Sequence, residues 1–302
     1  MNRIDKFFFQ ENKAFLPIHI VKNMIGVLAL LQLILISTDI AKMIGPSALI
    51  RAEVIHEMTN WYQFSVFNLY TFFSKFGIEA FLIFKMLLAI YVGAIVLSLL
   101  NVKPFYSAII VWVLNYMLVS TLELYNYGVD FFINFLLLVN IGIHAIDYFS
   151  FHQRYYTAMI RFLQIHLCIV YFFAGLGKAL GTDWIDGNAV WSSVNIMGTD
   201  FIQSISNQLY DYPMIFALIA LSVVFLELLY PVLIYYKRIR KITLILVILM
   251  HVFIALAMQL HFFGFTMIIF NIICFGYILK EDVSKYIWKI SALLQKKSLS
   301  KN

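Results

Sequence analysis

Charge is what this sequence has least of. Only 13% of its 302 residues are charged, against 63% hydrophobic, and the mean hydropathy is +0.87. A soluble domain carries about a quarter charged residues, so this chain cannot cover its own surface with polar groups, and a bilayer is its natural solvent. Cysteine is scarce too. Cys168 and Cys274 both lie inside apolar runs and read as small buried hydrophobes, not as a disulfide or metal site. No Ser-His-Asp order, Gly-rich phosphate loop or His/Cys cluster with metal spacing occurs, which leaves ordinary soluble-enzyme chemistry without a foothold. Internal repeats, low-complexity tracts and a second domain are absent as well.

What is present fits a membrane. Phe 29, Tyr 18 and Trp 5 suit helix interfaces and headgroup belts. Apolar runs near the spanning length of about 20 residues predict helices over 18–38, 78–100, 105–125, 130–149, 158–180, 213–236, 242–261 and 264–280. The expectation is an all-α, polytopic membrane bundle of about eight helices in one domain, 1–302, with a short basic tail at 281–302. The first run follows Arg3, Lys6 and Lys13 but has no small-residue cleavage site, so it reads as a retained anchor, not a signal peptide.

The net charge of +6 does not point to nucleic acid, because the basic residues sit in turns and tails between apolar runs. They set orientation instead. Lys103, Arg154, Arg161, the "KRIRK" turn and the lysine-bearing tail fall on one side, whereas 181–212 has no Lys or Arg and carries Asp183, Asp186, Asp200 and Asp211. This predicts a multi-pass protein of the cell membrane with both termini cytoplasmic. Segment 39–77, with "RAEVIHEMTNWYQFSVFNLYTFF", reads either as an amphipathic helix at the outer interface or as an ordinary structured loop. Near "QLHFFGF", Gly264 predicts a sharp turn or a broken helix.

Ionisable groups inside spans are costly and usually face the bundle interior. Sorted by depth, Glu79, Glu123, Asp130, Lys178 and His261 lie toward the outer face, and His166, Glu227 and His251 toward the cytoplasm. On the fifth predicted helix, Gln164, Leu167, Tyr171, Ala174 and Lys178 share one face, a polar track ending at the lysine. Gly175 with Ala179, and Gly177 with Gly181, are four apart and let another helix approach closely. A lysine against packed backbone loses hydration and becomes competent as a base or nucleophile; alternatively it snorkels to the outer headgroups. The nearby aspartates pair with it or hold a cationic substrate, Thr182 or Asp183 caps the next helix, and Trp184 anchors it at the interface. His166 and His251 are also candidate haem ligands, although a hydrogen bond to Glu227 explains either histidine equally well. His144 and Asp147 read as a helix-end pair.

The stretch "RFLQIHLCIVYFFAGLGKALGTDWIDGNAVW" resembles the core motif of the horizontally transferred transmembrane domain family, related to vitamin K-dependent gamma-carboxylase. Arg161, Gln164, Tyr171, Ala174, Gly175, Lys178, Asp183, Trp184 and Gly187 carry the resemblance. "HVFIALAMQLHFFGFTMI", with His251, is similar to the family's late helix. In the carboxylase the motif lysine is the proposed base that deprotonates vitamin K hydroquinone, so the resemblance implies Lys178 as the catalytic residue and a quinone-like cofactor. Two departures stand out: "YNYGVD" lacks the carboxylase's Asn-His pair, and no large soluble domain is present. The size is closer to small bacterial members similar to sporulation-delaying toxin maturation proteins, which implies a secreted peptide and an accessory protein as partners. Two functional expectations result. One is a membrane enzyme or maturation factor with Lys178 as base and Asp130, Asp183, Asp186 and His261 shaping its site. The other is a membrane scaffold, immunity or secretion partner with Lys178 in a structural ion pair. Haem-dependent electron transfer is a third.

Overall fold

The structure, a computed structural model, describes residues 2–12, 14–45, 48–49, 54 and 64–279. The regular elements among the described residues are all helical, which bears out the all-α class. A short helix α1 (Arg3–Phe9) opens the chain. Then come α2 (Ile18–Ile36), α3 (Ile40–Ile44), α4 (Val66–Ser74), α5 (Ala80–Leu99), α6 (Pro104–Thr121), α7 (Gly128–Tyr148) and α8 (Arg154–Ala179). Three short helices follow, α9 (Thr182–Ile185), α10 (Asn188–Met197) and α11 (Asp200–Gln208). The chain continues into α12 (Pro213–Leu233), α13 (Arg240–Ala257) and α14 (His261–Phe275). Seven of these, α2, α5, α6, α7, α8, α12 and α13, are long and apolar enough to cross a bilayer. Their outward faces carry side chains such as Leu82, Val92, Phe173 and Leu246, more than a third exposed. Surfaces of that kind are stable against lipid and not against water. The chain is a multi-pass membrane protein.

The eighth expected span forms as α14, with only 15 residues, about 22 Å at 1.5 Å per residue. The break before it falls earlier than the glycine suggested. Gln259 takes a left-handed φ of 56°, while Gly264 lies within the first turn of α14. A Cβ on Gly264 would stand 2.5 Å from the His251 carbonyl oxygen, so this glycine permits close crossing of α13 and α14 and does not make the turn. Proline fixes two other boundaries, opening α6 at Pro104 and α12 at Pro213, where its missing N–H is not needed. Inside α12, Pro231 has no N–H to offer the carbonyl of Glu227.

Two compact units make up the chain: Pro17–Met159, and Met1–Leu16 together with Ile160–Asn302. In the first, α2, α5, α6 and α7 pack with one another, and α4 packs on α5 and α6. Thr121 accepts from the Val66 backbone N–H at 2.8 Å, and Tyr70 donates to the Ile44 carbonyl at 2.7 Å, with burial pushing the Tyr70 phenol pKa up. Of the expected interfacial segment 39–77, only α3, α4 and the residues next to them are described, and most of the quoted stretch lies outside the described residues. The tail at 281–302 also lies outside them. In the second unit, α12 packs against α13, α9 and α10, and α13 against α14. Val190, Val194, Phe216, Ala220 and Ala257 form an apolar cluster there, with Trp184 and Trp191 packed on it. The stretch 181–212 is therefore folded onto the helices and is not a loose loop.

Gly175 sets the α8–α12 crossing. A Cβ there would meet the Leu228 backbone nitrogen at 2.6 Å and the Glu227 Cβ at 3.0 Å, whereas Gly177 has nothing within 4 Å. Gly175→Ala is expected to lower stability by about 1–3 kcal/mol through overpacking. Gly177→Ala should be neutral or raise it by up to about 1 kcal/mol through helix propensity. Thermal unfolding of the two variants in detergent checks the pair.

Candidate functional site

The site is built on α8, α12, α13 and α14, all contributing from the second unit. Lys178, in the last turn of α8, places Nζ 2.6 Å from Oε2 of Glu227 on α12. The lysine side chain is 23% exposed and the glutamate 6%, so the pair is half-covered on one partner and sealed on the other. Nζ also stands 5.2 Å from the Trp184 ring centroid, within cation–π range. The close approach at Gly175, three residues before the lysine, is what lets the carboxylate reach it. Along α12, Glu227 follows Phe216 by three turns, roughly 16 Å at 1.5 Å per residue. Phe216 is where α12 meets Gly187 at the start of α10. The ion pair is therefore recessed along α12, below the α9–α10 segment.

A second polar group lies two turns back along α8. The Tyr171 hydroxyl is 2.7 Å from His251 Nε2 and accepts from Asn271 Nδ2 at 2.7 Å. Asn271 in turn accepts from the Tyr230 hydroxyl at 2.8 Å, and its amide also donates to the Met267 carbonyl. All four side chains are buried. Four helices are thus joined by one chain of hydrogen bonds, with His251 Nδ1 left as a buried atom without a partner. Two turns further back, Gln164 donates to the Cys274 carbonyl at 2.5 Å and accepts from Arg161 at 2.8 Å. Arg161 reaches the Phe7 carbonyl at 3.2 Å and lies over the Phe7 and Phe15 rings, tying the N-terminal arm to α8. Outside the spans, Tyr235 approaches Gln164 at 3.4 Å, and burial pushes its phenol pKa up.

The track Gln164–Tyr171–Lys178 is therefore one face with a polar partner at each level. The other candidates are placed as follows. Asp183 and Asp186 are exposed; Asp186 accepts from the backbone and side chain of Asn188, at 2.9 and 2.8 Å. The carboxylate beside Lys178 is Glu227, 49 residues away in sequence, and not a neighbouring aspartate. Depth explains the difference, because α12 enters well beyond the end of α8 and brings its middle to the lysine. The N-cap of α9 is Gly181 with no side-chain hydrogen bond, so neither Thr182 nor Asp183 caps it. His261 is exposed and bonds to Gln259 at 2.9 Å. Asp130, in the other unit, accepts from Gln32 at 2.7 Å and from the Tyr127 backbone at 3.1 Å. Of the two haem candidates, His251 has its Nε2 engaged by Tyr171, and the His166 ring stacks on Phe270 at 6.2 Å. No group of three or more His, Cys, Asp or Glu side chains suited to a metal ion occurs among the described residues. Sequence reading missed Tyr230 and Asn271, each an isolated residue in an apolar run whose only signal is polarity at spanning depth.

Comparison with protein-family models, curated proteins and solved structures returns no match of any of the three kinds.

Removing one member of a covered ion pair strands the other, at a cost of about 3–5 kcal/mol when fully buried. Because Lys178 is partly exposed, Lys178→Met is expected near the lower end of that range. The double variant Lys178→Met with Glu227→Gln should lose less than the sum of the two singles. Unfolding midpoints in detergent across this cycle give the coupling directly.

Proposed function

We propose that the chain is a membrane enzyme or maturation factor similar to the gamma-carboxylase-related transmembrane family, with Lys178 as its base. It modifies or matures a peptide, or uses an apolar quinone-like cofactor. In the orientation expected from the basic residues, the site opens to the extracytoplasmic side of the cell membrane and both termini are cytoplasmic. The observation that carries this reading is the recessed pair of Lys178 and Glu227 at 2.6 Å under Trp184. A second ionisable group within reach of the amine is what proton transfer needs and what a snorkelling lysine lacks.

The chemistry follows from the pair. Nζ and Oε2 are one proton transfer apart, and with the proton on Glu227 the Lys178 amine is a free base. The amine then takes a proton from an acidic O–H or C–H of the bound substrate; the ammonium that forms pairs with the substrate anion, while Glu227 keeps its proton and donates a hydrogen bond. Trp184 closes one side of the site, which limits water and strengthens both interactions. A quinone-like group would be held by apolar side chains of α8 and α12. An amine–carboxylate pair lies on the same two helices as an apolar groove of about 300 Å³ lined by Cys168, Phe172, Phe173, Pro231 and Tyr235. Bound there, such a group would supply redox chemistry that no side chain has.

The competing reading is a scaffold, immunity or secretion partner, favoured by the fact that the ion pair is complete and net neutral as it stands. Arginine separates the two. Lys178→Arg keeps the charge and the bond to Glu227 but cannot release a proton at physiological pH. Wild type, Lys178→Arg and Lys178→Met are compared in the native operon context, with membrane insertion checked and mass spectrometry of the secreted peptide fraction as the readout. Loss of the modified product in both variants, each inserted normally, is the expected result. Full activity of Lys178→Arg would assign the lysine to a structural pair and favour the scaffold.

A further inference from the structure

A second constellation lies within the Pro17–Met159 unit. The N-terminal end of α2, the α5–α6 turn, the C-terminal end of α7 and the first turn of α8 meet at one end of this unit. Lys22, Lys103 and Arg154 are there, with Asp147 as the carboxylate between them. Asp147 is already engaged, since Lys22 and the Tyr156 hydroxyl both bond to it. The opposite end carries Asp39, Glu79, Glu123 and Asp130 together with Lys42, Lys75 and Lys85. The unit is thus polarised, with its basic end in excess.

A groove of about 680 Å³ opens at this basic end, lined by Lys103, Pro104, Phe105, Tyr106, His144 and Tyr148, with Asp147 at its edge. Its walls are mainly aromatic: Phe105 stacks on Tyr148 at 4.7 Å between centroids, and the Tyr106 and Tyr148 hydroxyls meet at 2.5 Å. Two features of the lining are unusual. His144 is 1% exposed, yet neither ring nitrogen has a hydrogen-bond partner. A buried imidazole without one is costly. Lys103 is exposed, has no carboxylate within ion-pair distance among the described residues, and is held in the left-handed region at φ 44°. Such strain in a non-glycine residue persists where surroundings fix it.

We infer that this groove binds the phosphate-bearing head of an acidic phospholipid, with Lys103 countering its charge and His144 donating to a head oxygen. The aromatic walls receive the glycerol and upper acyl region. A lipid fits better than a free anion because the lining is mostly apolar and the surrounding rim is too. Leu100, Val102, Phe149 and Phe151 are all about half exposed or more beside it, as expected at the boundary of headgroups and acyl chains. The neutralised Asp147 removes the one charge that would repel such a head. A phosphoryl oxygen also gives the His144 N–H the acceptor that the protein does not provide.

The test uses the full-length protein purified in mild detergent and incubated with equimolar phosphatidylglycerol and phosphatidylcholine, the retained lipid being counted by native mass spectrometry. Wild type is expected to retain phosphatidylglycerol in preference. Lys103→Gln, an exposed change that should leave the melting temperature in phosphatidylcholine unchanged, should lower that preference roughly fivefold, the loss of one basic residue at a charged membrane surface. His144→Leu, which keeps the site buried but apolar, should lower it as well. Equal retention of the two lipids by wild type, or a preference unchanged in both variants, overturns the proposal. Displacement of the retained lipid by an equimolar amount of soluble glycerol phosphate would also overturn it, since the head alone would then be the ligand.

Discussion

Hydrocarbon offers no hydrogen bonds, so each polar side chain in a spanning helix must find its partner inside the protein. This constraint organises the Ile160 unit. Gln164 is held by a backbone carbonyl of α14, Asn271 is shared among Tyr171, Tyr230 and its own helix, and Lys178 is met by Glu227. Each pairing fixes the rotation and axial position of two helices at once. Apolar packing alone would leave these helices free to slide, because lipid tails are as apolar as leucine. Small residues then decide how near the partners come. Gly175 admits the backbone of α12 and Gly264 admits that of α13, so the hydrogen bonds and the glycines specify one arrangement together.

Much of the fold was legible because spanning helices declare themselves by length. The runs beginning near Ile18, Ala80 and Pro213 formed within a few residues of expectation. The final helix begins at His261 and not at Gly264, since the break at Gln259 depends on backbone conformation and not on composition. In the site, periodicity on α8 was enough to line up Gln164, Tyr171 and Lys178. It could not name their partners. Glu227 was assigned to a cytoplasmic layer by counting from its own helix end, which assumes that all helices start at one level. The end of α8 lies partway along α12, and that offset is set by tertiary packing that no single run of sequence records. Tyr230 and Asn271 were overlooked for a related reason: a tyrosine or asparagine in an apolar run looks incidental until its neighbours are known.

The two units handle charge differently. In the Ile160 unit, opposite charges are drawn together in the interior and cancel at Lys178 and Glu227. In the Pro17 unit, they are spread along the bundle, with a basic excess at one end and a slight acidic excess at the other, and with Lys22–Asp147 and Lys42–Asp39 as the ion pairs among the described residues. A cancelled interior pair exerts little force at a distance and acts only on what enters the site. An uneven set produces a field that reaches beyond the protein by about a Debye length. The first suits proton chemistry, and the second suits contact with a charged membrane surface.

The proline of α12 links geometry to motion. Because Pro231 leaves the Glu227 carbonyl without its helical donor, the turn that carries the carboxylate lacks one backbone hydrogen bond of the helix. A bend there changes the separation of Oε2 from Nζ before it disturbs packing nearer the α9–α10 segment. Proton sharing between two groups depends steeply on their distance, so a small flexure of α12 at this turn would alter how tightly the lysine and the acid are paired. In this chain, a proline's missing backbone bond and a buried acid occupy the same turn.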